Sequence, residues 1–408
     1  MYYFDLYDSS ILGNHREVLV RLIQVVGTVY SVSVFLYYVY PPLELGRGIF
    51  AIGLIFVAMV LFFWRRLFSA VNSVPEFAER ALILGDGPLA DLLQHEFETR
   101  AELGLRFVGR IQAVSNRSGD LTRNRSEYPD AAVETDAGEE LFRNVKMLRA
   151  TRIVVAMGER RGKLPVERLL SLKCSGVHVQ DGVEVYEAIT GKVPIESIRL
   201  ASLLFSPGCY ASRFHLVYKR IASIVVSITG LLLSLPLLPF VVLAIKLTSR
   251  GPALYRQRRT GREGVLFYCY KFRTMRAEAE ADAGPSWAKD DDPRITRVGG
   301  FLRKSRLDEI PQLWNVLRGD MSMVGPRPER PEFVEELSRE IPYYQLRHTI
   351  RPGISGWAQV SYKYGSSVED AKEKLRYDLY YIKNMSAGLD LLIIFRTLKT
   401  ILLGRGAK

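Results

Sequence analysis

The chain has 408 residues, enough for two or three domains, with 48% hydrophobic residues and a formal net charge of +12. Such a charge calls for anionic partners, and the absence of the usual RNA- and DNA-reading motifs beside long apolar runs favours lipid over nucleic acid. Cys174, Cys209 and Cys269 have no disulfide or metal spacing, the five histidines are scattered, and the first apolar run has no small-residue cleavage site, which argues against a disulfide scaffold, a zinc site and a cleaved secretory leader.

Residues 22–40 and 49–64 are apolar runs separated by Pro41-Pro42, and Arg16, Arg21, Arg65 and Arg66 lie outside them. Length and the positive-inside rule predict a transmembrane hairpin with both ends in the cytoplasm; a buried pair of soluble helices is the alternative. Next, Arg80-Ala-Leu-Ile-Leu-Gly-Asp-Gly-Pro-Leu-Ala-Asp91 reads as strand, glycine turn and helix, with Gly85, Gly87 and Ala90 matching G-x-G-x-x-A. Further strands at 105–108, 152–156 and 177–179, and a helix at 165–173, predict a Rossmann-like, doubly wound domain over 76–200. Pro88 follows the second glycine and no acidic ribose ligand ends a second strand, so a structural or regulatory role is favoured over a catalytic one.

Residues 221–245 carry no charge, and their length alone suits a transmembrane helix. Basic residues flank both ends, however, and Pro236 and Pro239 fall past the midpoint, where proline frees backbone carbonyls. A helix that breaks and leaves through the leaflet it entered satisfies both features, with Ser234 placed to bond a freed backbone group. This re-entrant segment is assigned to 201–250. Two strands follow, Leu254–Arg258 and Phe267–Arg273, around a glycine turn at 261–264. Lys271 and Arg273 are candidate phosphate contacts, with a solvated strand edge as the other reading. Asp290-Asp291-Asp292-Pro293 reads as a turn and cap rather than a metal site.

The most chemically suggestive stretch is Arg303–Pro328. Pro311 suits a helix start and Gly319 a stop, which places Asp308 and Glu309 at or just before a helix N-terminus. Arg303, Lys304, Arg306, Arg318 and Arg327 surround the acids with positive charge. Acids inside a phosphate-attracting setting suggest phosphoryl chemistry; a capped helix with a solvated charged face is the alternative. An acidic helix at 329–340, the loop Arg351-Pro-Gly-Ile-Ser-Gly-Trp-Ala-Gln-Val360, a polar helix at 368–384 and an amphipathic helix at 389–403 complete the chain. The last suits a membrane surface or a domain core.

Four motifs together resemble the bacterial sugar transferase family, the monotopic polyprenyl-phosphate phosphoglycosyl transferases. They are Tyr270-Lys-Phe-Arg-Thr-Met275, Asp292-Pro-Arg-Ile-Thr-Arg-Val-Gly299, the stretch Arg306–Pro328 and Arg351–Val360. The resemblance covers about 210–408, and the upstream arrangement is similar to the larger members that start exopolysaccharide or O-antigen repeat units. It implies a membrane-anchored α/β protein: N-terminal membrane helices (1–75), a Rossmann-like domain (76–200), the re-entrant helix (201–250) and a compact, mostly helical catalytic domain with amphipathic interfacial helices (251–408). It also implies transfer of a sugar 1-phosphate from a UDP-sugar to undecaprenyl phosphate with release of UMP, at the cytoplasmic face of the bacterial inner membrane. Asp308 then matches the nucleophile and Glu309 the neighbouring acid that holds Mg2+, while Lys271, Arg273, Arg303 and Arg327 match phosphate-binding positions.

Two departures stand out. Leu235 occupies the place directly before the kink proline where the family commonly has serine, and two N-terminal helices are readable where larger members have four. The oligomeric state stays open, a homodimer included, and no nucleic-acid partner is expected. A membrane-bound nucleotide-sugar dehydratase or epimerase is the competing enzyme reading, disfavoured because no Tyr-x-x-x-Lys pair is well placed within 78–200. A non-catalytic nucleotide-sugar sensor is a third.

Overall fold

The computed structural model describes residues 78–100, 104–111, 131–158, 164–197, 213–276, 292–362, 365 and 367–403, with scattered positions between 37 and 67. The expected hairpin over 22–40 and 49–64 lies, apart from such scattered positions, outside the described residues. Contacts divide the chain into two units, Met1–Tyr186 and Glu187–Lys408.

The first unit has four parallel strands, β1 (Glu79–Leu84), β2 (Leu105–Ile111), β3 (Arg152–Val155) and β4 (His178–Asp181), of which β1 and β3 carry the buried apolar runs. Their spatial order is β2-β1-β3-β4, with helices α1 (Pro88–Thr99), α2 (Ala131–Met147) and α3 (Val166–Cys174) as the crossovers. Ala81, Leu82, Ile83 and Leu84 are all buried, which is the continuous apolar run required of a central parallel strand covered on both faces. Leu82, Ile153 and Leu141 are fully buried in one cluster, and each contributes about 1.5–3 kcal/mol. Gly85 (φ 133°) ends β1 where a Cβ would lie 2.7 Å from the Ala156 carbonyl carbon, so the turn admits glycine alone. A fourth helix, α4 (Gly182–Thr190), contains the boundary between the units. Past it, Val193 and Ile195 are buried against Val334, Leu337 and Leu375 of the second unit.

The second unit begins with α5 (Arg213–Ser234) and α6 (Leu238–Thr248). At 22 residues, α5 is about 33 Å long, and its segment Phe214–Ser234 is long and apolar enough to cross a membrane and is mostly unburied. By contrast α6, with 11 residues, is too short to span. The break between them is closed locally. Pro236 has no N–H for the Leu232 carbonyl, which takes the Leu235 N–H instead at 3.3 Å; the Leu231 carbonyl so released accepts the Ser234 hydroxyl at 2.9 Å.

An antiparallel hairpin follows, β5 (Leu254–Thr260) with β6 (Leu266–Phe272), then α7 (Arg297–Lys304), a 3-10 turn at Leu307–Glu309 and α8 (Gln312–Arg318). The short parallel pair β7 (Ser322–Val324) and β8 (Gly353–Ser355) brackets α9 (Pro331–Glu340) and a 3-10 turn at Tyr344–Thr349. Helices α10 (Trp357–Ser361), α11 (Val368–Lys383, opened by a Ser367/Asp370 capping box) and α12 (Ala387–Leu403) end the fold. On α12, Ile393 is buried while Leu391, Phe395 and Leu398 are exposed, so the helix is amphipathic.

Candidate active site

Asp308 and Glu309 sit side by side in the 3-10 turn between α7 and α8, 7% and 8% exposed. Ile310 and Pro311 separate them from α8, which has seven residues, so the local positive charge comes from side chains rather than from a helix dipole. Arg306 enters the turn in the left-handed region (φ 57°), a strained conformation for a non-glycine residue that the surrounding packing must hold.

Three cations converge on one oxygen of Glu309. Arg327 Nη2 donates to Oε1 at 2.8 Å, and Lys271 Nζ and Arg306 Nη1 lie 3.5 Å from it. Burial pushes the Glu309 carboxyl up, but Arg327, Lys271 and Arg306 outweigh it and hold the group well below the usual carboxylate range. Asp308 goes the other way: burial raises it and the charge of Glu309 adds to the rise, against Lys271, Arg327 and Arg303. Burial also lowers Lys271 below an ordinary ammonium. Adjacent carboxyls driven apart in this manner can take different roles.

The fold explains how the sequence delivers these groups. Asn315, fully buried in α8 where helix propensity disfavours asparagine, accepts the Tyr270 N–H at 3.0 Å and donates to the Tyr268 carbonyl at 2.7 Å, latching α8 onto β6 beside Lys271. The Asp292 motif is architectural. Asp292 receives the Arg294 backbone and guanidinium, which with the turn lowers its carboxyl to about 2, Thr296 caps α7, and at Gly299 a Cβ would lie 1.9 Å from the Thr274 carbonyl oxygen. That close approach brings α7 against Thr274, whose hydroxyl accepts from Arg303 Nε at 3.0 Å. Asp290 and Asp291 lie outside the described residues.

Arg273 is not with the other candidates. Its guanidinium donates to the carbonyls of Arg250 (2.9 Å) and Ser249 (2.7 Å), covering the last carbonyls after α6, so it ties the exit of the apolar segment to β6. The structure therefore gathers Asp308, Glu309, Lys271 and Arg327 at one point, puts Arg303 at its edge, and leaves Arg273, Ser234 and Pro236 as parts of the apolar segment and its anchor. Among the described residues no three His, Cys, Asp or Glu side chains form a metal cluster.

The sequence profile of the bacterial sugar transferase family matches residues 214–404. An undecaprenyl-phosphate glucose phosphotransferase of Komagataeibacter xylinus is 30% identical, the match covering 92% of this chain and 73% of that one. The chain belongs to the bacterial sugar transferase family. Among the family's members, the UDP-N-acetylgalactosamine-undecaprenyl-phosphate N-acetylgalactosaminephosphotransferase of Aeromonas hydrophila is 44% identical over 247 residues, 59% of this chain. That match spans 56% of the relative's length. The exopolysaccharide production protein PSS of Rhizobium leguminosarum is 43% identical over 190 residues, 45% of this chain and 94% of its own. The segment that matches the bacterial sugar transferase profile holds the acid pair and each cation around it.

Two further arginines of this chain bear on the site and were missed by motif reasoning. Arg259 Nη1 donates to the Pro328 carbonyl and Arg347 Nη2 to that of Arg327, both at 3.0 Å. Their signal, a backbone carbonyl about 20 or 70 residues away, has no counterpart in local sequence.

Proposed function

We propose that this protein transfers a sugar 1-phosphate from a UDP-sugar to undecaprenyl phosphate, releasing UMP and starting a polysaccharide repeat unit at the cytoplasmic face of the bacterial inner membrane. The observation that carries this reading is the buried Asp308–Glu309 pair with Lys271, Arg306 and Arg327 gathered on one carboxylate oxygen. Substrates named for the relatives, glucose and N-acetylgalactosamine phosphates with undecaprenyl phosphate, supply the chemical class.

In this reading a carboxylate oxygen of Asp308 attacks the β-phosphorus of the UDP-sugar. A new oxygen–phosphorus bond forms, the bond to the bridging oxygen breaks, and UMP leaves with that oxygen. A phosphate oxygen of the lipid then attacks the aspartyl phosphosugar and returns Asp308 as a carboxylate. The barrier lies in bringing an anion to a charged diphosphate, and Arg327, Arg306 and Lys271 offset that repulsion where charge develops. The donors also fit magnesium, a hard cation that uses one or two carboxylates with substrate phosphates, and Glu309 is the residue that would hold it. Bound there, it would neutralise the diphosphate and polarise its phosphoryl oxygens.

The two apolar helices support entry and exit through one leaflet. Arg220 of α5 donates to the Val316 carbonyl of α8 at 2.6 Å, while Val241 and Ile245 of α6 are buried with Phe272 and Leu302. Helices on either side of the break thus rest on elements that flank the acid pair, which favours a re-entrant segment that would bring a lipid phosphate to the same leaflet as the acids. The four-stranded parallel sheet of the first unit is read as Rossmann-like.

The test is incubation with UDP-glucose, UDP-galactose and UDP-N-acetylgalactosamine in turn, measuring UMP and the mass of the peptide containing Asp308. With undecaprenyl phosphate withheld, a gain equal to one sugar phosphate is expected. Full turnover with an unmodified peptide under trapping conditions would remove the covalent step.

A further inference from the structure

The Pro326-Arg327-Pro328 turn carries Arg327 to Glu309, yet two of its three residues have no N–H, which leaves the turn a single backbone donor of its own. All three of its carbonyls are held. Pro326 accepts from the Gly353 N–H at 2.9 Å, Arg327 from Arg347 Nη2 at 3.0 Å, and Pro328 from Arg259 Nη1 at 3.0 Å. The Gly353 contact requires glycine, because a Cβ there would lie 2.1 Å from the Gly325 nitrogen.

Arg347 is the most deeply committed of these donors. Its side chain is 6% exposed, Nη1 donates to the Tyr344 hydroxyl at 2.6 Å, and Nη2 lies 2.9 Å from Oδ2 of Asp378, which is 2% exposed. Burying an ion pair costs desolvation that its own attraction barely returns, so such a pair is better suited to fixing a geometry than to adding stability. The guanidinium is a rigid planar fork, and with Asp378 and Tyr344 setting its orientation the remaining hydrogen bond falls on a single carbonyl. Contacts then run unbroken from Asp378 on α11 through Arg347 and the Arg327 backbone to the Arg327 side chain and Glu309.

We propose that Arg347, oriented by Asp378, is a positioning residue of the transfer reaction, fixing the backbone of Arg327 so that its guanidinium meets Glu309 and the donor diphosphate. The proposal rests on reading the acid pair as the phosphosugar-transfer site. It separates Arg347 from a merely structural buried arginine, whose loss would loosen the fold without acting through Arg327.

The experiment uses the full chain in lipid nanodiscs containing undecaprenyl phosphate, with whichever of the three UDP-sugars yields UMP. Arg347→Met is expected to lower kcat about 30-fold with the UDP-sugar KM changed less than about threefold, and Arg347→Lys, which keeps the charge without the planar fork, to recover only a small part of the loss. In an Arg327→Gln background, Arg347→Met should cost less than about threefold more, because the two act as a unit. An undiminished loss in that background, or a wild-type kcat for Arg347→Met alone, overturns the proposal.

Hydrogen exchange at the amides of Gly325, Arg327, Glu329 and Arg330 gives a readout independent of turnover. Arg347→Met and Asp378→Asn should both speed it, and unchanged exchange in folded protein overturns the proposal. Should Arg347→Met lose its cooperative melt, Asp378→Asn and Arg347→Lys decide the matter by the same measurements. If no UDP-sugar gives UMP with the wild-type chain, the transfer reading falls by itself and exchange still decides whether Arg347 holds the turn.

Discussion

At the glycine turn after β1, Arg110 donates to the Gly85 carbonyl at 3.0 Å and to Asp91 at 2.6 Å, and also pairs with Asp86. Around the Leu307–Glu309 turn, Lys271, Arg306 and Arg327 converge on Glu309, with Arg303 at the edge and Asp308 alongside. Both are tight turns beside parallel or paired strands, and both resemble anion sites in outline. In the first, two acids meet the arginine, so little positive potential is left for a phosphate. In the second, cations exceed acids and the acids are buried, so the potential is kept and strengthened by the low dielectric. The difference teaches that a glycine fingerprint describes backbone room, whereas affinity for phosphate depends on the charge left after neighbouring side chains have paired.

The comparison can be broken most severely at its centre. Asp308→Asn should lower UMP release by at least about 10³-fold while the protein stays folded and membrane-bound, since the amide cannot form the acyl phosphate. Retention of more than a few per cent of turnover would end the nucleophile role. Arg327→Gln, which removes one of the three cations on Glu309, should cost about 10²-fold in steady-state kcat.

A smaller effect sharpens the electrostatics. In the proposed reaction Asp308 attacks as a carboxylate; burial raises it above the ordinary aspartate value, so the acid pair holds a proton to a higher pH than an exposed aspartate and activity should be lost sooner as pH falls. Arg327 opposes that rise, so in Arg327→Gln the acid limb of kcat/KM should move to still higher pH. A limb that moves down or stays fixed would contradict this field. The least effect is expected at the other turn. Arg110→Gln should change turnover less than about twofold and cost the first unit about 1 kcal/mol or less, because its acid partners are exposed. A large loss of activity would show that the two turns are not so different.

Sequence made the parallel sheet legible chiefly through β1 and β3, whose buried apolar cores Ala81–Leu84 and Ile153–Val155 stand between glycines and helical spacing, while β2 and β4 are more polar and less buried. The Pro236 break and the Pro311 and Gly319 limits of α8 were legible for similar local reasons, Gly319 ending the helix in the left-handed region. Helix α2 escaped notice. Its stretch Ala131–Met147 is rich in acids and shows few apolar positions, although Leu141 and Val145 are buried. Arg273 was legible only as a cation near the right motif. Its partners are carbonyls of Ser249 and Arg250, and which carbonyls a helix end leaves unpaired is settled by packing. Arg347 and Asp378 stayed hidden for the same reason: their pairing spans 31 positions between a 3-10 turn and a later helix.

The three glycines at 325, 353 and 356 have a consequence for descent and design. A Cβ at any one of them would meet backbone at 2.5 Å or less, at Arg351, at Gly325 nitrogen or at Gly325 oxygen. No flexible side chain can yield to make room, so neither segment tolerates drift unless the other moves with it. The Pro-Arg-Pro stretch and the Arg351–Val360 loop are therefore a single packing unit written in two places. A chimera that exchanges one without the other should be poorer than a chimera that exchanges both.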